Sequence, residues 1–141
     1  MVDFLQRGLT CTGVWVEGDL RAADKEKEYA RIYPRNEAIG YYVRTETVSA
    51  WIGRLDKNGK KVFEGDILYF RCEIDGDILE DYLLVEWRNK KDICGFLCRS
   101  LYAPNDFMDL PLIDSFQKEI EVIGNKFESA DLFQKFSDKA A

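Results

Sequence analysis

Apolar and polar residues alternate along much of this chain with a period of two, which is the pattern of a β-strand buried on one face. Within residues 12–20, Val14 and Val16 fall on one face, whereas Glu17 and Asp19 fall on the other. Further extended segments follow at short intervals, at residues 38–44, 47–55, 82–88, 93–98 and 119–125. The pattern predicts a chain built mainly from short strands.

Residues 67–70 differ because both faces are apolar there: Ile67 and Tyr69 alternate with Leu68 and Phe70. A strand that is buried on both faces belongs in a barrel, in a sandwich or beneath another layer. We therefore predict that this segment lies in the core.

The stretch Asp56-Lys57-Asn58-Gly59, shortly before that strand, has the composition of a tight turn. Aspartate starts a turn through its side chain, asparagine tolerates the late turn positions, and glycine adopts a positive φ without strain. We predict a hairpin with a glycine bulge and a positive φ at Gly59.

Three segments lack a clear strand period. Residues 21–31 are dense in charge and predict a connection with room for one helical turn. Residues 103–116 contain two prolines and predict an irregular connection or a short helix. Residues 129–137 predict a short helix with Ser129 as its N-cap. The fold class that follows is mainly β (α+β), with small barrel or sandwich character and a short C-terminal helix.

The length and the net charge of the chain limit the classes of function that it can have. A chain of 141 residues with 46% hydrophobic residues can build one compact core, and its net charge of −6 is the wrong sign for general phosphate binding. Its start does not resemble a signal peptide, and no stretch approaches the roughly 20 apolar residues that span a bilayer. We expect a cytoplasmic protein that does not act at a membrane.

The four cysteines fit a reducing compartment because most of them lie in apolar runs, where a thiol behaves as a small hydrophobe. On one extended strand, Cys94 and Cys98 would stand about 13 Å apart, too far for a disulfide.

Catalytic and metal chemistry find little support. The chain has no histidine, which removes the most common general base and metal ligand. No CxxC pair is present, and the acidic residues 75–81 lack the sixth-position glycine of a calcium loop. We expect no catalytic residues, no metal and no cofactor.

Two basic turns are candidates for a weak anion-binding site. A glycine turn with lysines can hold a phosphate, although no P-loop spacing is present and turn lysines are usually only solvated. The residues concerned are Lys57, Lys60, Lys61, Arg88, Lys90 and Lys91.

Four blocks of the sequence resemble the YopX family of bacteriophage and prophage proteins, at residues 13–20, 46–68, 82–87 and 119–133. The middle block is the most specific. Its motif residues, which fit the family pattern, are Asp56, Asn58, Gly59, Gly65 and Asp66.

The resemblance implies a β-rich fold with an SH3-like barrel portion, and it implies no activity because the family's function is unknown. We expect an N-terminal β-rich subdomain at residues 1–55 and the barrel portion, with a C-terminal strand and helix, at residues 56–141. The two would form one compact unit. We interpret the motif as architectural: its first three residues turn the chain, and Gly65 and Asp66 aim the buried strand.

The leading functional hypothesis is a non-enzymatic interaction module, an accessory protein of a phage or prophage that binds a host or phage protein or assembles with itself. The alternative is a nucleic-acid-associated protein that uses the basic turns. A carboxylate-based hydrolase would require a deep pocket with paired acids. We also expect a homo-oligomer, because open strand edges and many aromatic residues leave apolar surface to cover.

Overall fold

The computed structural model describes residues 5–21, 28–89, 94–103 and 106–129. The chain divides into two compact units, residues 1–53 and 54–141, and antiparallel strands dominate both. The prediction of a mainly β fold is therefore confirmed. The proposed subdomain boundary after residue 55 stays a prediction.

The first unit is an antiparallel sheet of five strands. These are β1 (Gln6–Leu9), β2 (Trp15–Arg21), β3 (Tyr29–Tyr33), β4 (Tyr41–Arg44) and β5 (Ser49–Leu55). Their order across the sheet is β4-β3-β2-β1-β5, and the last two residues of β5 belong to the second unit. Inward-facing residues of β2, β3 and β4 form the buried core, which consists of Val16, Ala30, Ile32 and Val43, with Leu20 and Val48 packed against it.

Two strands of this unit are missing from the sequence prediction. Strand β1 is short and carries a charged residue, Arg7, that is nevertheless buried: its Nε donates to Ser49 Oγ at 3.2 Å, and its guanidinium lies 4.3 Å from the centroid of the Trp15 ring. Strand β3 begins within the charged segment, so the predicted connection is wrong at residues 29–31. Ala30 and Ile32 are buried there on either side of an exposed arginine, and this short alternation was masked by the surrounding charges.

The second unit contains a five-stranded antiparallel sheet in the order β10-β9-β8-β7-β11. Its elements are β6 (Lys61–Phe63), β7 (Asp66–Ile74), β8 (Asp77–Asn89), β9 (Cys94–Ser100), β10 (Phe107–Asp109), α1 (Leu110–Ser115) and β11 (Ile120–Asn125). Between residues 103 and 116, where the sequence left an irregular connection or a short helix open, the chain forms β10 and the short helix α1, whose N-cap Asp109 accepts the N–H of Leu112 at 3.0 Å. The helix predicted at residues 129–137 lies, apart from Ser129, outside the described residues.

Strand β7 lies at the centre of the second core, as predicted from the apolar residues on both of its faces. Ile67 and Leu68 are fully buried on opposite faces and Phe70 is nearly so. Ile67 packs with Leu84 and Leu101, and Tyr82 lies against this cluster.

The SH3-like barrel is not confirmed in the described part of the chain, where this sheet is open. Its end strands are β10, which pairs with β9, and β11, which pairs with β7. The two end strands do not pair with each other. Strand β10 has only three residues before α1 begins, which leaves little edge on which a barrel could close.

Candidate functional site

The predicted turn at residues 56–59 is built around one buried carboxylate. Asp56 is 1% exposed, and its Oδ1 accepts the backbone N–H groups of Asn58 and Lys60, each at 2.9 Å. The Gly59 N–H donates to the Asp56 carbonyl at 3.0 Å, and Gly59 has φ +79°. The positive φ predicted for this glycine is confirmed.

The same turn is tied to β11, far along the sequence. Asp56 Oδ2 accepts the N–H of Val122 at 2.9 Å, and the Lys57 N–H donates to the Ile120 carbonyl at 3.0 Å. The side chain of Gln117 adds a bond from its Nε2 to the Asp56 carbonyl at 3.1 Å. We call the Asp56 carboxylate with its three backbone donors the Asp56 clasp. Both carboxylate oxygens thus accept backbone hydrogen bonds within the fold, and the architectural role of the motif stays a prediction.

Gly65 and Asp66 form a second internal anchor. Asp66 is fully buried, and its Oδ2 accepts the Phe63 N–H at 2.8 Å. Gly65 has φ +90°, its N–H donates to the Val85 carbonyl at 2.7 Å, and a Cβ there would lie 2.8 Å from the Phe127 ring. Only glycine combines this conformation with such a close approach. The pair therefore positions the start of β7.

The candidate anion-binding residues are partly neutralised by acidic neighbours. Lys57 Nζ lies 3.6 Å from a Glu121 carboxylate oxygen, and the Arg88 guanidinium lies 2.9 Å from Glu86. Lys60 is exposed and Lys61 is half-buried, whereas Lys90 and Lys91 lie outside the described residues. The anion-binding role of these residues stays a prediction.

The cysteines occupy different environments. Cys94 and Cys98 lie on the single strand β9 as free thiols, while Cys11 is exposed at the β1–β2 turn. Cys98 is fully buried, and burial, with smaller contributions from Asp66 and Glu86, raises its pKa to about 12. Its thiol is therefore protonated at neutral pH and is not a nucleophile.

The hairpin of β7 and β8 extends well beyond its neighbours in the sheet. Strand β11 pairs with β7 only as far as Phe70, and β9 pairs with β8 only from Leu83 onward. Residues 71–81, which we call the hairpin arm, therefore have no third strand on either side among the described residues. No strand of the described part of the chain covers their outer backbone edges, and an uncovered edge can accept another strand.

The hairpin arm combines exposed aliphatic side chains with acidic ones. Leu79 stands opposite Cys72, and Ile74 lies two residues further along the same face; both aliphatic side chains are nearly half exposed, at 49% and 46%. Ile78 is 52% exposed on the other face. The arm contains five carboxylates and one arginine. The sequence did not predict this surface because its pattern placed β8 only at residues 82–88, whereas the strand begins at Asp77.

The first unit contains an open cleft of about 490 Å³. One wall is the β1–β2 turn, where Val14 N–H donates to Thr10 Oγ1 at 3.1 Å and Thr10 N–H donates to the Val14 carbonyl at 2.9 Å. The opposite wall is the turn in which Glu37 N–H donates to the Pro34 carbonyl at 3.1 Å. Both walls are thus held by local hydrogen bonds.

Aromatic rings and carboxylates line this cleft together. Of the described residues that line it, Trp15 and Tyr41 supply the rings and Glu17 and Glu37 supply the carboxylates. The Tyr41 hydroxyl donates to the Glu37 carboxylate, and this hydrogen bond raises the pKa of Tyr41. The chain offers no local signal for the cleft, because its lining comes from three separate segments.

None of the helices in the described ranges approaches the length or apolar character needed to cross a bilayer. The fold and its most distinctive residues thus define an antiparallel β protein whose motif aspartates are internal anchors.

A family described as YopX protein matches residues 11–134, which is most of the chain. The chain belongs to the YopX family, and the resemblance found in the sequence is confirmed. No curated protein matches the sequence.

Proposed function

We propose that this chain is a non-enzymatic protein-interaction module of a phage or prophage, which acts in the bacterial cytoplasm by pairing its hairpin arm with an extended segment of a partner protein. The observation that carries the proposal is the arm itself, with two open strand edges and exposed aliphatic side chains. Addition of a strand to such an edge is a common mode of peptide recognition. An isolated two-stranded hairpin is only marginally stable in water, so a bound third strand would stabilise it.

The charge of the arm favours a basic partner segment. With five carboxylates and one arginine, two copies of the arm would repel each other. A segment that alternates aliphatic residues with lysine or arginine would cover Ile74 and Leu79 and also face the acidic side chains. We therefore assign the arm to a different protein, whereas pairing with a second copy would show itself as a loss of oligomer mass in a variant of the arm alone.

Residue chemistry supports the non-enzymatic part of the proposal. The sequence has no histidine, and the two fully buried motif aspartates both accept backbone hydrogen bonds. The alternative, nucleic-acid association through the basic turns, is less favoured because Lys57 and Arg88 already face carboxylates.

The test compares three versions of the full chain in pull-downs from the host, followed by affinity measurements with the purified partner that mass spectrometry identifies. The arm variant Ile74→Ser/Leu79→Ser removes the apolar strip, and Leu112→Ser, at a residue of α1 with 41% exposure, is the matched control. We expect the arm variant to bind about tenfold or more weakly, because two aliphatic contacts are lost, and the control to bind like the wild type.

Two results would contradict the proposal. One is equal affinity of the arm variant and the wild type for the partner. The other is retention on DNA or RNA that falls steeply with salt, which would instead support nucleic-acid association.

A further inference from the structure

We propose that the outer face of strands β2, β3 and β4 binds an extended acidic segment of a partner protein. We call this surface the arginine–tyrosine face, and its residues are Arg21, Tyr29, Arg31, Tyr33, Tyr42 and Arg44. The proposal goes beyond the hairpin arm because all of these residues belong to the first unit of the chain.

Strand pairing brings these residues together on one side of the sheet. Residues that stand directly opposite each other in an antiparallel pair share a face. Arg21 pairs with Arg31, which in turn pairs with Tyr42, so one row across three strands carries two arginines and a tyrosine. Tyr29 pairs with Arg44 in the next row of the same face. The three arginines are exposed, whereas the residues between them along β3 and β4 form the buried core.

Two of the guanidinium groups lie over tyrosine rings. The Arg21 guanidinium is 4.9 Å from the centroid of the Tyr33 ring, and that of Arg31 is 5.3 Å from the centroid of the Tyr42 ring. Arg31 Nη1 also donates to the Tyr33 hydroxyl at 3.2 Å, which uses one of the five N–H donors of a guanidinium. The tyrosines thus hold the arginines in place before binding, and this lowers the entropic cost of ordering long side chains at an interface.

The arrangement of charge favours an anionic ligand. Arg21 and Arg31 stand directly opposite each other, and like charges in such a pair destabilise a sheet. In the part of the chain that the structure describes, their contacts are with tyrosines and not with carboxylates. A carboxylate that accepts from both guanidinium groups would relieve the repulsion between them.

The acidic residues on the same side of β2 face other arginines. Glu17 stands opposite Arg7 on β1, and Asp19 Oδ1 lies 3.4 Å from Arg35 Nη2. The arginine–tyrosine face is therefore a local basic surface on a chain whose net charge is −6.

The spacing of the arginines matches an extended peptide. Arg31 and Arg44 are diagonal neighbours on adjacent strands, which places their Cα atoms about 7–8 Å apart. Alternate residues of an extended chain are about 7 Å apart and point to the same side. Acidic residues at alternate positions can therefore reach both guanidinium groups, whose planar donor pattern fits a carboxylate in bidentate geometry.

A nucleic acid fits this surface less well. Bases bind by stacking on aromatic faces, but the rings of Tyr33 and Tyr42 each already have a guanidinium over them. The net charge of −6 also repels a polyanion that extends beyond the face, whereas a short acidic segment needs only local positive charge. We therefore assign the face to a peptide, and the experiment includes a nucleic acid for comparison.

The experiment titrates the isotopically labelled full chain with three ligands and follows backbone N–H resonances. The ligands are the capped peptide Glu-Ser-Glu-Ser-Glu, its neutral counterpart Gln-Ser-Gln-Ser-Gln, and a single-stranded thymidine oligonucleotide of similar length. We expect saturable shifts at residues 19–21, 29–33 and 41–44 with the acidic peptide, weakening as salt rises. The neutral peptide should cause none, and the oligonucleotide should bind more weakly than the acidic peptide.

Variants locate the binding. Arg31→Gln and Arg44→Gln each remove one guanidinium and should weaken binding of the acidic peptide about tenfold, as expected for loss of charge-assisted hydrogen bonds. Lys118→Gln removes the same charge at an exposed lysine of the 3₁₀ turn Gln117–Glu119, and this matched control should bind like the wild type. The arm variant Ile74→Ser/Leu79→Ser should also bind normally, so failure of either proposal can be told apart from failure of the other.

Three results would each overturn the proposal. One is binding of the neutral peptide as tight as that of the acidic peptide, or no saturable shift at about 10 mM acidic peptide. Another is undiminished binding in both arginine variants. The third is tighter binding of the oligonucleotide at the same residues, which would assign the face to single-stranded nucleic acid.

Discussion

The Asp56 carboxylate accepts a hydrogen bond from the backbone N–H of Val122 at 2.9 Å, although 66 positions separate the two residues. A side chain that was read from the sequence as a local turn former therefore also joins β11 to the turn before β6. In this protein, the most recognisable motif of the family forms a long-range contact between two segments that are distant in the sequence.

The first prediction concerns that carboxylate. Asp56→Asn should lower the free energy of unfolding by about 1–3 kcal/mol, because an amide cannot accept from all three backbone donors at its two former oxygen positions. Urea denaturation measures the change. Asp75→Asn, at an exposed turn residue with φ 52°, is the control and should leave the midpoint unchanged because asparagine tolerates that conformation. Equal midpoints for both variants would contradict the anchoring role.

The second prediction separates backbone strain from packing at Gly59. A Cβ at this position meets nothing within 4 Å, so any cost of substitution comes from its positive φ. Gly59→Val should lower stability by about 1 kcal/mol or more, whereas Gly59→Asn should cost clearly less. An unchanged denaturation midpoint for the valine variant would count against the assigned turn.

The third prediction is a pH dependence that arises from Cys98. Burial raises the pKa of this thiol from 9.0 to about 12, so the folded protein keeps the proton over a range in which the unfolded chain releases it. The resulting stabilisation is fully present below pH 9 and is lost as the pH rises from 9 toward 12. The stability of the wild type should therefore fall more steeply above pH 9 than that of Cys98→Ala.

Chemical denaturation at several pH values tests this, with Cys11→Ala at an exposed thiol as the control. Parallel pH profiles for the wild type and Cys98→Ala would refute the effect. A maleimide should modify Cys11 and Cys94 in the native protein, but Cys98 only after unfolding. In the folded protein the reagent cannot reach the buried Cys98 thiol, and the raised pKa keeps that thiol protonated.

The fourth prediction addresses self-association, which the sequence led us to expect. Strand β4 is an edge of its sheet and carries Tyr42, whose side chain is 63% exposed, so two copies have a surface to share without using the acidic arm. Light scattering after size exclusion should give a mass above 16.4 kDa, equal for the wild type and the arm variant. A monomer mass across an about tenfold dilution would contradict the oligomer. A fall to monomer in the arm variant alone would assign the arm to a second copy.

Local features of this chain were legible in the sequence because they depend on only a few neighbouring residues. The turn at residues 56–59 follows from backbone preferences of aspartate, asparagine and glycine, and the buried position of β7 follows from its apolar residues on both faces. Family membership likewise required only residue identities in order.

The tertiary structure decided what depends on which strands pair and where that pairing stops. Strand β3 was identified only from its pairing with β2 and β4. The hairpin arm is left without neighbouring strands because β11 pairs with β7 only as far as Phe70 and β9 pairs with β8 only from Leu83. The cleft gathers residues from three segments, and Val122, the long-range donor to the Asp56 carboxylate, lies on the last described strand. No local period contains such information, because long-range register is set by the packing of the whole unit.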